Sequence, residues 1–99
     1  MKRIGTLVND VNDEICGAKD YAERYLQAKV DGDGSWANRY KEMANQELQH
    51  AMWLHELSVQ EINKLKEVYT APAYMQKKWD ETHAKYMETV EFVKDMLSK

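Results

Sequence analysis

Large apolar side chains recur along this 99-residue chain at alternating steps of four and three residues. That spacing belongs to one face of an α-helix, not to the strict alternation of a strand. The first seam runs through Leu7, Val11, Ala18, Tyr21 and Tyr25, and the second through Trp36, Tyr40, Met43, Leu54 and Leu57. The third runs through Trp79, Tyr86, Val90, Val93 and Leu97. Only two places punctuate the chain: Asp31-Gly32-Asp33-Gly34-Ser35 and the single proline, Pro72. They predict helices over roughly 6–30, 35–70 and 72–98, with Asp33 or Ser35 capping the second and Pro72 in the first turn of the third. The pattern is all-α, a long helical hairpin plus a third helix in one domain spanning 1–99.

Length changes this picture first. A helix of about 36 residues is about 54 Å long, whereas a compact 100-residue domain has a radius of gyration of about 13 Å. The second helix is therefore expected to overhang a monomer, and its seam to need a second copy, as a homodimer or a higher homo-oligomer. Charge then narrows the partners. Fourteen Lys and Arg against 17 Asp and Glu give a formal net charge of −3, without the basic surplus of a nucleic-acid-binding module. The lone Cys16 excludes an internal disulfide and a multi-cysteine zinc site. No apolar run approaches the ~18 residues of a transmembrane helix. The first ten residues turn polar too soon for a signal peptide, so a cytoplasmic protein is expected.

Chemistry enters where polar residues interrupt the seams. Glu14 lies between Val11 and Ala18, Glu47 and His50 lie between Met43 and Leu54, and His83 lies between Trp79 and Tyr86. A carboxylate facing a core must be neutral, paired or metal-bound, because burying it alone costs several kcal/mol. Glu47-Leu48-Gln49-His50 is a Glu-x-x-His sequence, whose i, i+3 side chains share a helix face at about 5–6 Å. One carboxylate oxygen and one imidazole nitrogen can reach a common ion, and Glu14 from the preceding helix adds oxygen. That mixture of N and O ligands suits iron, manganese or zinc. The plainer reading of the three residues is a salt-bridge and hydrogen-bond network that fixes helix register.

Over residues 7–57 the chain resembles the ferritin-like superfamily of di-iron carboxylate proteins. Glu14 and Tyr21 show the Glu-x6-Tyr spacing of its first helix, and Glu47-x-x-His50 stands where its second-helix motif would stand. The resemblance implies a terminal metal ligand at Glu14, a metal-bridging carboxylate at Glu47, a terminal imidazole at His50 and a hydrogen bond near the site from Tyr21. It implies catalytic roles for these four residues. Such a bundle uses four helices and two half-sites, whereas this chain supplies one. The half-bundle type resembles the encapsulated ferritins, in which a two-fold dimer completes a four-helix bundle. The implied activity is ferroxidase-like oxidation or sequestration of Fe(II), with two irons per dimer and manganese or zinc as alternatives. The competing expectation is a helical oligomerisation or adapter protein whose seam Glu and His residues only set register.

Other candidates have plainer readings. Asp80-Glu81-Thr82-His83 offers an Asp-x-x-His, but a hairpin folded at residue 71 sets His83 level with Val59. That is nine residues past His50, about 14 Å along the helix, so His83 is expected to be a capped or paired surface histidine, with a minor second metal site beside Asp80 and Glu61 as the alternative. His55 lies off the seam and is expected to be solvated. Trp36, Tyr40, Trp79 and Tyr86 are expected in the core, Cys16 as a packed thiol, and Gly17 as a point of close helix approach beside Glu14. Asp31, Asp33, Ser35 and Glu42 match four positions of an EF-hand loop, but Trp36 holds the position that needs glycine. A short inter-helix turn explains them better.

Overall fold

A computed structural model describes residues 2–68, 70 and 72–99, and the described residues are helical apart from the turns and the chain end. The helices are α1 (Lys2–Val30), α2 (Gly34–Val68) and α3 (Ala73–Leu97). The turn between α1 and α2 is set by its residue types. Gly32 takes φ +74°, a left-handed conformation that glycine adopts without a Cβ penalty. The Asp33 amide then donates to the Ala28 carbonyl at 2.9 Å and the Gly32 amide to the Lys29 carbonyl at 3.1 Å. This pairing closes the helix end in a Schellman motif. One residue later Asp33 caps α2, its Oδ1 accepting the Trp36 amide at 3.2 Å. Pro72 lies just outside α3, as its N-cap residue, rather than in its first turn.

The three helices lie side by side in a rod of 55 × 17 × 17 Å. Ile4 and Val8 at the start of α1 pack with Ile62 and Leu65 near the end of α2 and with Met75 and Trp79 near the start of α3. At the other end Tyr25 and Ala28 meet Ala37, Val93, Met96 and Leu97. Hence α1 and α3 run parallel, and α2 runs against both. The expected overhang of the second helix is corrected here: a rod accommodates α2 along its whole length. The radius of gyration, 15.9 Å, exceeds the roughly 13 Å of a compact domain of this size.

Along α1 the core row is Ile4, Val8, Val11, Ile15, Ala18, Ala22 and Tyr25, all buried. The second helix departs from the seam expected of it. Its buried residues are Ala37, Ala44, Leu48, Ala51, Ser58 and Ile62. Ala37, Ala44, Ala51 and Ser58 recur every seventh residue, and small side chains there let α2 lie close to its neighbours. Ser58 is completely buried, and its hydroxyl is satisfied by donating to the Leu54 carbonyl at 2.7 Å. The larger residues of the expected seam lie on an adjacent, partly open stripe, from whose inner edge Tyr40 and Leu54 pack on the core. Trp36 is 57% exposed and Leu57 48%, while Tyr40, Met43 and Leu54 are half-buried. Helix α2 thus carries two apolar stripes, one in the chain's own core and one open. Trp36 belongs to the open one, contrary to expectation, whereas Tyr86 is buried and Tyr40 and Trp79 are half-buried against the core, as expected.

Candidate metal centre

Three of the polar residues that interrupted the seams come together beside the open stripe. Glu14 on α1 and Glu47 and His50 on α2 each offer a ligand atom, and these atoms lie within 4.8 Å of one another. Among the described residues this is the group of three or more His, Cys, Asp and Glu side chains close enough to share an ion. Glu14 Oε2 lies 3.6 Å from His50 Nδ1, with the side chains 27% and 48% exposed respectively. That oxygen is itself buried and has no hydrogen-bond partner. An unsatisfied buried carboxylate oxygen is costly unless a proton or cation reaches it.

The two carboxyl groups are close enough to perturb each other. Glu47 is raised from 4.5 to about 7. The main cause is a hydrogen bond shared with the Glu14 carboxyl, followed by burial and by the negative charge of Glu14, with His50 acting in the opposite direction. Two carboxylates that cannot comfortably ionise together hold a proton that a cation can displace.

Gly17 explains how Glu47 reaches across. A Cβ at this position would sit 2.9 Å from Glu47 Oε2 and 3.6 Å from its Cδ. The missing side chain is the space the carboxyl group occupies, one turn from Glu14. The expected close approach beside Glu14 is therefore present, and it is made by a side chain. An orphaned buried oxygen, a carboxyl cradle and a mixed N and O donor set fit a first-row transition metal.

Tyr21 takes a different position from the one the resemblance implies. It stacks on Tyr40, with ring centroids 6.3 Å apart, and lies under the Arg24 guanidinium at 5.7 Å. Among the described residues its hydroxyl makes no hydrogen bond to Glu14 or Glu47.

No family model, curated protein or solved structure matches this chain. The site is therefore read from its own geometry.

Residues outside the cluster fall into place around it. The EF-hand-like residues are engaged locally: Asp31 accepts from Gln27, Asp33 caps α2, and Glu42 binds Arg39 at 3.1 Å. Glu61 pairs with Arg3 and Lys64, not with His83. Cys16 is exposed rather than packed, with Lys85 Nζ 3.9 Å from its sulfur.

The largest departure concerns His55 and His83. His83 lies opposite His55 rather than Val59. His55 Nε2 and His83 Nδ1 are 2.8 Å apart. The His55 ring stacks on Tyr86 at 4.2 Å with an interplanar angle of 9°, so it is half-buried rather than solvated. The spacing of Leu48, His55 and Ile62, seven residues each, carried that signal.

Proposed function

We propose that this chain is half of a di-metal carboxylate protein, most simply one that oxidises or sequesters Fe(II) in a ferroxidase-like manner. Two copies would pack their open stripes together, turning two α1–α2 hairpins into a four-helix bundle. Two sets of Glu14, Glu47 and His50 would then surround one centre holding two irons. This is the ligand set of ferritin-like and designed di-iron bundles: a Glu from each of two helices and a Glu-x-x-His from each of the others. The observation that carries the reading is the location of the cluster. Three candidate ligands, one of them with a buried oxygen that has no hydrogen-bond partner, lie beside the middle of a partly exposed apolar stripe, where one chain would leave a coordination shell incomplete and a two-fold copy would complete it.

Each residue has a task in this scheme. Glu47 gives up its proton as the cation arrives, its carboxyl group held beside Glu14 by the space that Gly17 leaves on α1. Glu14 supplies the oxygen that otherwise has no partner. His50 supplies imidazole nitrogen at the rim, and its neighbour Trp53, ring centroids 5.9 Å apart, shields it from water once covered. Two Fe(II) ions held together there can deliver two electrons to O2 or peroxide and become Fe(III). Manganese or zinc would take the same ligands without that turnover.

The exposed aromatic stripe also serves the adapter reading, in which the copies pair and no metal binds. One experiment separates the two. The full chain is loaded with Fe(II) without oxygen and then exposed to air, beside its Glu47→Ala variant. Near-ultraviolet Fe(III) absorbance rising faster than in protein-free buffer, at two irons per dimer and lost in the variant, supports the metal reading. Dimers that bind no iron leave the adapter.

A further inference from the structure

We infer that His55 and His83 form a second metal site, taking one tetragonal first-row ion, Cu(II) or Ni(II), per chain and fastening α3 to α2. The pair lies outside the Glu14, Glu47 and His50 cluster and shares no residue with it. Its two nitrogens, His55 Nε2 and His83 Nδ1, are 2.8 Å apart. Imidazole nitrogens bind such ions at about 2.0–2.1 Å, so two in neighbouring corners of a square are about 2.9 Å apart, against about 3.3 Å in a tetrahedron. The separation present is that of a hydrogen bond, and it holds the two nitrogens within the span of neighbouring corners of a square, so only ring rotation is needed to admit the ion.

The surroundings prepare the pair for a cation. His55 is held between aromatic rings, Tyr86 at 4.2 Å and Trp79 at 5.5 Å, which fixes one ligand before the ion arrives. His83 is exposed, so it can turn about its side-chain torsion, a soft one in histidine, to bring its lone pair onto the ion. Burial and the neighbouring His83 both lower the pKa of His55, which keeps its imidazole in the neutral, ligating form. Glu56 is near enough to oppose that shift, and its negative charge favours a cation beside the ring. The hydrogen bond uses one ring proton; on metal binding that proton moves to the other nitrogen of its own ring, through solvent, so both imidazoles stay neutral and His55 Nε2 and His83 Nδ1 both present lone pairs. Asp80 accepts from Gln76 at 2.9 Å, so water or solute completes the remaining positions.

The test uses the full chain carrying Glu47→Ala together with His50→Ala, so that the first cluster cannot account for binding. Cu(II) is added at neutral pH, with Mg(II) as control, and followed by calorimetry and electron paramagnetic resonance. One Cu(II) per chain, with hyperfine splitting from two nitrogens and an upward shift in melting temperature, is expected. Adding His83→Ala, an exposed position where the helix tolerates alanine, should weaken Cu(II) binding at least tenfold and leave one nitrogen in the spectrum. Unchanged affinity in that variant, a one-nitrogen signal before it, or no Cu(II) bound to the chain carrying Glu47→Ala and His50→Ala would overturn the site. Each readout is independent of iron, so failure here leaves the di-metal proposal standing.

Discussion

At the scale of single residues, Gly17 separates folding from the proposed metal chemistry. Alanine there would improve α1 by about 1 kcal/mol of helix propensity. Its Cβ would also fall 2.9 Å from Glu47 Oε2. The clash is with the end of a flexible side chain, so the fold yields easily by moving that carboxyl group away. Gly17→Ala should therefore keep or raise the melting temperature while weakening Fe(II) binding at least tenfold. Calorimetry of the apo and loaded protein checks both, and tight Fe(II) binding in the variant would show that Glu47 is not a ligand. Glu47 also sets a pH dependence. With its pKa raised from 4.5 to about 7 in the folded chain, the folded state holds a proton that the unfolded state releases. Apo stability from this group is present below about 4.5 and is lost as pH rises through about 7. Metal binding runs the other way, since the ion needs the deprotonated form. Affinity should fall by about tenfold per pH unit below 7, measurable by titration at several pH values.

At the scale of elements, α2 shows how far the pattern of apolar residues can be read. Helix type, number and approximate ends followed from the four-and-three spacing and from the two breaks, because caps and glycine act locally. The assignment of faces did not follow, because size was taken as a sign of burial. Ala37, Ala44, Ala51 and Ser58 are the buried ones, and Trp36, Met43 and Leu57 lie on the outer stripe. A close helix pair needs small residues at its contact, and apolar area alone does not reveal that. The same error moved His55 outward, although it shares the row of Leu48 and Ile62. Glu14, Glu47 and His50 were legible because their spacing fixes a common face within one turn and one hairpin. The Gly17 gap depends on helix separation, which only the structure supplies. Ala51→Leu tests the small-residue row. Over-packing there should cost about 1–3 kcal/mol, a fall of about 4–8 °C in Tm for each kcal/mol, whereas Leu57→Ala should move the Tm of the isolated monomer little. The α2–α3 contact has its own signature. Burial and His83 lower the pKa of His55, Glu56 opposes them, and Tyr86, raised by burial and by Glu56, stays neutral. Stability from His55 is present above its unfolded value of about 6.5 and is lost as pH falls below it. Hydrogen exchange in α3 should accelerate below that pH, and His55→Phe should abolish the change.

At the scale of the whole molecule, the open stripe and the metal cluster make assembly and chemistry a single question. No described helix is long and apolar enough to cross a membrane, so a bilayer-spanning role does not explain the exposed aromatic residues. A rod 55 Å long and 17 Å wide presents the stripe from Trp36 to Leu57, adjacent to the hairpin's own core and interrupted midway by Glu47 and His50. If two stripes meet, the cluster loses water, the Glu14–Glu47 repulsion rises, and a cation becomes the means of relieving it. Pairing without metal should then be weak, and metal should tighten it. Linkage requires the converse, that pairing tightens metal binding. Met43→Asp and Leu57→Asp flank the cluster without supplying its ligands, and each places a charge in the stripe that an isolated chain can solvate. Both variants should keep their helicity, sediment as monomers and bind Fe(II) at least tenfold more weakly. In the unaltered chain, Fe(II) should shift the sedimentation equilibrium toward dimer, and Tm should rise with protein concentration. Monomeric variants that bind iron as tightly as the parent would break the link between assembly and the metal centre. Dimers that persist through both substitutions would place the contact elsewhere on the rod.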